Sequence, residues 1–174
     1  MIAVFWTLCG SVSLAEVKNQ SAHGFVIEHT LESEAEPARL YEALIAEISQ
    51  WWDPSHTYSG NAENLYIKAV PGGCLCENLE GGGFVRHLEV VYTQPSNEIR
   101  LAGGLGPLQE LGITGTMTFR IEEAPQGSRL TLIYRVSGYL ENGLQALAAP
   151  VDRVLGQQME RLERHLTGVT PRRL

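Results

Sequence analysis

The sequence lacks any apolar run long enough to span a bilayer, and apart from Arg172 and Arg173 near its end it has no cluster of Lys or Arg. The first absence excludes a transmembrane helix. The second, together with 13 Lys plus Arg against 20 Asp plus Glu and a formal charge of −7, excludes a surface built to neutralise phosphates, so no nucleic-acid partner is expected. Repeats, low-complexity tracts and Pro/Gly-rich linkers are also missing. With 44% hydrophobic, 19% charged and 7% aromatic residues, the composition of this 174-residue chain is that of a globular domain, not of a disordered chain or a coiled coil. One domain over residues 16–174 is expected.

Met1 to Ala15 carry no charged side chain, are mostly apolar and end in Ser13-Leu14-Ala15. Small residues at the −3 and −1 positions resemble a secretory cleavage site, although the basic residues that usually open a signal peptide are missing. The expectation is a signal peptide over 1–15 and a secreted or periplasmic protein, with the cytoplasm as the alternative. Beyond Ala15 the cysteines are Cys74 and Cys76. Two residues apart on an extended strand, they would need a local backbone distortion to bridge, so two buried thiols are expected, with a strained disulfide as the alternative.

Hydrophobic periodicity organises the rest. Phe25, Ile27, His29 and Leu31 alternate with Val26, Glu28, Thr30 and Glu32, as in a strand. Leu40, Leu44, Ile45 and Ile48, running from Glu36-Pro37 to Trp51-Trp52, have helical spacing, and Asp53-Pro54 stops them. Ser55 to Asn64 reads as a loop. Six strands follow: Leu65 to Val70, Cys74 to Leu79, Phe84 to Tyr92, Glu98 to Leu105, Ile113 to Ile121 and Arg129 to Tyr139. The short Gly- and Pro-containing connections predict an antiparallel meander. In the strand around Met117, apolar Ile113, Met117, Phe119 and Ile121 face one way and Thr114, Thr116, Thr118 and Arg120 the other. Leu144, Leu147, Ala148, Val151, Leu155, Met159, Leu162 and Leu166 then mark a long amphipathic helix. Pro150 either lies near the start of that helix or kinks it.

A strand, a short helical segment, a curved meander and one long C-terminal helix are the elements of the helix-grip fold. Trp51-Trp52, Pro71-Gly72-Gly73-Cys74-Leu75-Cys76-Glu77, His87, Gly103-Gly104-Leu105-Gly106-Pro107-Leu108, and Val151-Asp152 through Gln158 to Arg161-Leu162 together resemble the SRPBCC superfamily over Ala22 to Thr167. That superfamily includes START lipid-transfer domains, polyketide cyclases and dehydratases, plant pathogenesis-related proteins and bacterial relatives of an activator of a heat-shock ATPase. The resemblance implies an α+β fold whose curved antiparallel sheet wraps around the C-terminal helix and encloses an apolar cavity for a lipid, polyketide or other hydrophobic small molecule. It carries the fold further than the activity. An interaction module, like the ATPase activators, is a further alternative. No cofactor is implied, and a monomer or weak dimer is expected.

Side chains expected to face such a cavity are Leu75, Leu105, Met117, Phe119, Tyr134, Leu147, Val151 and Leu155. Trp51, Trp52 and Tyr139 read either as core or as a gate at its rim, with His56 and Tyr58 of the 55–64 loop supplying polar contacts to the ligand. If Gly81-Gly82-Gly83 form a hairpin loop, Glu77 stands opposite His87, on one face with Leu75, Leu79, Val85 and Val91. Such a carboxylate and imidazole could serve as an acid/base pair for a cyclisation or dehydration if that face looks inward, or as a polar anchor for a ligand. Cys74, Cys76, His56 and His87 lack the spacing of a zinc site, so no metal is expected. Gly103, Gly104 and Gly106 lack a dinucleotide-binding context, and no serine occupies a nucleophile elbow.

Overall fold

The computed structural model describes residues 16–168, so the signal peptide expected over 1–15 lies outside the described residues. Strand β1 (Glu16–Ser21) leads into β2 (Gly24–Ser33), in which Phe25, Ile27, His29 and Leu31 are buried in alternation. The helical segment is split into α1 (Pro37–Ala46) and α2 (Ile48–Trp51) at Glu47. The Glu47 carboxylate there accepts from both Arg39 nitrogens, at 3.0 and 2.9 Å, and pairs with His165 near the end of the last helix.

Then come β3 (Leu65–Ile67), β4 (Cys74–Asn78), β5 (Phe84–Gln94), β6 (Glu98–Ala102), β7 (Thr114–Ala124) and β8 (Gly127–Ser137). All pairings are antiparallel, in the order β1-β2-β8-β7-β6-β5-β4-β3, so β2 closes onto the last strand of the meander. The long helix α3 (Gln145–Thr167) lies against the sheet and buries Ala148, Leu155, Gln158, Met159 and Leu162. Pro150 is inside this one helix, where it removes a single backbone bond without ending it. Gly168 stops the helix in a left-handed conformation (φ 69°), its N–H reaching the Arg164 and His165 carbonyls. The architecture is the helix-grip fold.

Four expectations need correcting. Strand β1 is additional: among its described side chains Val17 alone packs against the core, and a polar edge strand gives no alternating signal. β3 and β6 end earlier than expected, because the chain turns away from the ladder within 69–72 and 104–112. Cys74 and Cys76 are joined in a disulfide, with Cα atoms 5.4 Å apart. The backbone distortion such a bridge needs is present beside it, where the β4–β5 pairing is irregular between Leu75 and Cys76.

The β4–β5 register is the fourth. The tight turn is Glu80–Gly82, with Gly81 and Gly82 at φ 70° and 82°, and the Leu79 N–H bonds to the Gly83 carbonyl. Glu77 therefore pairs with Val85, not with His87. A two-residue difference in pairing keeps the same face, and the ladder then steps from Cys76↔Arg86 to Leu75↔Leu88, leaving His87 as the extra residue of a bulge. Past this bulge Leu88 and Val90 turn inward beside Glu77 and His87, whereas Val91, extra in the β5–β6 ladder, is exposed.

Candidate functional site

A cavity of about 630 Å³ opens between α3 and the β3–β5 side of the sheet. Leu147, Pro150, Val151 and Val154 of α3 form one wall, and Leu65, Leu75 and His87 form the opposite one. Two loops border it: Trp52 with Ser55 to Tyr58, and Leu105 to Leu111. Among its wall residues Glu110 alone is an acid and none is Lys or Arg.

Three hydrogen bonds make Glu77 the anchor of the first loop. Its side chain is fully buried, Oε2 accepts the Tyr58 N–H at 3.0 Å, and Oε1 accepts the Ser59 N–H at 2.5 Å. His87 Nε2 lies 3.1 Å from Oε2. Burial favours the neutral acid, but the hydrogen bonds from Ser59, Tyr58 and His87 outweigh it and hold the carboxyl below its ordinary range. Glu77 is thus an ionised acceptor, and His87 must donate its Nε2 hydrogen. Burial lowers the imidazole's pKa, with the Glu77 carboxylate opposing only part of that effect. Neutral His87 therefore presents an unprotonated Nδ1, which is buried and has no hydrogen-bond partner among the described residues. The Tyr58 ring packs over the imidazole, with centroids 5.8 Å apart.

His56 is fixed from the helix. Gln158, 2% exposed, accepts the Asp53 N–H on Oε1 at 2.8 Å, which turns its amide nitrogen to His56 Nδ1 at 3.0 Å. Since that amide can only donate, neutral His56 carries its hydrogen on Nε2. Arg161 donates from Nε to the Trp51 carbonyl at 2.7 Å, and the Trp52 indole donates to the His56 carbonyl at 3.1 Å. The loop is thereby tied to both α3 and β4. Across the opening, Leu105 is held by Tyr134, whose hydroxyl accepts the Leu105 N–H and donates to the Gly103 carbonyl, both at 3.1 Å. Burial pushes that phenol up to about 12, so it stays protonated. Gly103, at φ 141°, adopts a backbone conformation that other residues rarely take, and a Cβ there would crowd the His87 carbonyl at 3.0 Å.

The structure thus gathers Trp52, His56, Tyr58, Leu75, His87, Leu105, Leu147 and Val151 around the cavity. Glu77 stands behind His87. Trp51, Met117, Phe119, Tyr134 and Leu155 are instead buried in the core, because the half of the sheet beneath them packs directly on the helices. Tyr139 lies past the end of β8 and is 79% exposed. None of these six lines the cavity. Wall residues that sequence reasoning missed include Thr57, Leu65, Pro107, Leu108, Glu110, Leu111 and Val154. Most belong to irregular segments without a periodic signal, but Val154 sits three residues beyond Val151 on one helix and could have been found by its spacing.

No family model matches the chain, and no curated protein matches it. Solved structures do. Protein MLL2253 from Mesorhizobium loti superposes with a TM-score of 0.60 at 18% identity, covering 84% of this chain and 99% of its own. CalU16 from Micromonospora echinospora gives 0.57 at 12% identity over 93% of this chain and 88% of its own. DynU16, from the dynemicin biosynthetic locus, gives 0.59 at 16% identity over 86% of this chain and 49% of its own. At such identities the likeness establishes a shared fold.

Proposed function

We propose that this is an SRPBCC-type protein that binds and carries a hydrophobic small molecule in the cavity between sheet and helix. The observation that supports this reading best is the cavity itself: about 630 Å³, walled mainly by Leu, Val, Pro and Trp, with a few oriented polar groups. Volumes of roughly 300–1,000 Å³ with that mixture are typical of small-molecule sites. DynU16 comes from a biosynthetic locus, a setting that accords with handling an organic molecule. Export is part of the proposal, checked by N-terminal sequencing of the protein recovered outside the cytoplasm. The central test is native mass spectrometry of the purified protein, followed by denaturing extraction. An apolar molecule released near one-to-one is expected. An empty protein whose melting temperature is unmoved by a panel of lipids and aromatic polycycles would overturn the reading.

A second reading is a cyclase or dehydratase, favoured by the unpartnered Nδ1 of an imidazole backed by a carboxylate. His87 would then be the base and Glu77 its positioning residue. Turnover of the extracted ligand that disappears in His87→Phe while binding persists is its test.

A further inference from the structure

We propose that the cavity selects an uncharged apolar molecule bearing a hydroxyl group, phenolic or alcoholic, that donates its hydrogen to His87 Nδ1. This inference rests on the hydrophobic-ligand reading and narrows it to a chemical class.

The direction of the hydrogen bond follows from backbone groups that have no freedom. The amides of Tyr58 and Ser59 can only donate, and they occupy both oxygens of Glu77. The carboxylate therefore accepts from His87 Nε2, and Nδ1 is left as an acceptor in the cavity wall on a side chain 5% exposed. It has no partner within the protein's described residues. The atom is already out of contact with water, so a pure hydrocarbon bound against the imidazole would leave it unpaired, and an ether would face it lone pair to lone pair. A hydroxyl satisfies it.

Charge narrows the class further. An anion entering this cavity would meet no Lys or Arg and would approach the Glu110 carboxylate across from Tyr58. With no cation in the wall its desolvation would be poorly compensated, which disfavours carboxylates such as fatty acids. The second oriented group, the Nε2 hydrogen of His56, is a donor suited to a carbonyl or ether oxygen elsewhere on the same molecule.

The test uses three probes on one aromatic frame: naphthol, methoxynaphthalene and naphthoate, titrated calorimetrically into the full chain near neutral pH. Naphthol is expected to bind roughly 10- to 100-fold more tightly than methoxynaphthalene, with naphthoate weakest. His87→Phe should erase the preference for the hydroxyl while leaving methoxynaphthalene binding in place. Glu110→Gln should strengthen naphthoate binding, an effect that does not depend on how well the His87 variant folds. Equal binding of the three probes, or naphthoate binding tightest, overturns the inference and leaves the hydrophobic-carrier reading standing. If neither these probes nor a wider apolar panel binds, the carrier reading itself fails.

Discussion

Glu77 and His87 do opposite things with the same burial. The carboxylate has every lone pair it needs engaged, by Tyr58, Ser59 and His87, whereas the imidazole keeps one nitrogen unused. Replacing Glu77 by Gln puts an amide hydrogen where one of two obligate donors now points. Glu77→Gln is expected to lower stability by about 2–4 kcal/mol, within the range for disrupting a buried polar network. Hydrogen exchange at Tyr58 and Ser59 should accelerate before exchange in β7 and β8 does, and uniform acceleration would show that Glu77 does not anchor this loop locally. Both groups also tie stability to pH in the same direction. Each has a folded pKa below its ordinary value, 4.5 for Glu77 and 6.5 for His87, so the unfolded chain takes up protons first as pH falls. The contribution of His87 is complete above about pH 6.5 and is lost as pH falls through its folded value, and that of Glu77 is lost below about pH 4.5. Urea unfolding at a series of pH values should show this decline in the natural protein, and His87→Phe should flatten the part that begins below about pH 6.5. An unchanged slope would mean that His87 is charged in the folded state.

At the scale of elements, the pairing of α3 with β2 depends on one missing side chain. His29, 1% exposed on β2, lies against Gly156 of α3, where a Cβ would come within 3.1 Å of its ring. His29 Nε2 is also 3.0 Å from Asp152 Oδ1, though the approach is not angled to form a hydrogen bond. A mid-helix glycine costs about 1 kcal/mol relative to alanine, so Gly156→Ala should stabilise the helix wherever space allows. In the natural protein the His29 ring removes that gain; in a His29→Ala background it should reappear, as about 1 kcal/mol in chemical denaturation. Additive effects in this double-mutant cycle would mean that the ring does not govern the glycine. The elements also show what a sequence discloses. The meander, the long helix and the alternating strand β2 were legible because alternation and helical spacing report which face is buried. The inward placement of Glu77 and His87 was left open, and the register assigned to their hairpin was displaced. The bulge at His87 depends on how β4, β5 and Gly103 pack across one another, and spacing within a single strand carries no record of that.

Across the whole molecule, the two halves of the sheet meet the helices differently. Under β2, β7 and β8 the space is filled, and Met117, Phe119, Leu132, Tyr134 and Leu155 belong to one continuous core. Toward β3, β4 and β5 it is not: two loops, Trp52 with Ser55 to Tyr58 and Leu105 to Leu111, border an open space there. Sequence reasoning placed the ligand over the filled half as well as the open one, since an inward apolar residue reads the same over either. Mutations on neighbouring turns of α3 should separate the two. Leu155, 1% exposed, belongs to the filled part, and Leu155→Ala should cost about 2–5 kcal/mol by leaving a void among neighbours that cannot collapse into it. Val151 borders the open part and is only half-buried, so a larger side chain has room to grow. Val151→Phe is expected to keep or slightly raise the melting temperature of the empty protein while weakening binding of the extracted ligand at least tenfold, measured by quenching of Trp52, whose indole forms part of the wall. A ligand at 100 times its Kd would add about 2.7 kcal/mol to the natural protein and correspondingly little to this variant. A variant that loses stability as Leu155→Ala does would place Val151 in tight packing and leave the cavity too small to hold a guest. Retained stability with lost binding is the signature of space kept open at some expense to the fold, the trade a binding protein makes and a purely structural domain has no reason to make.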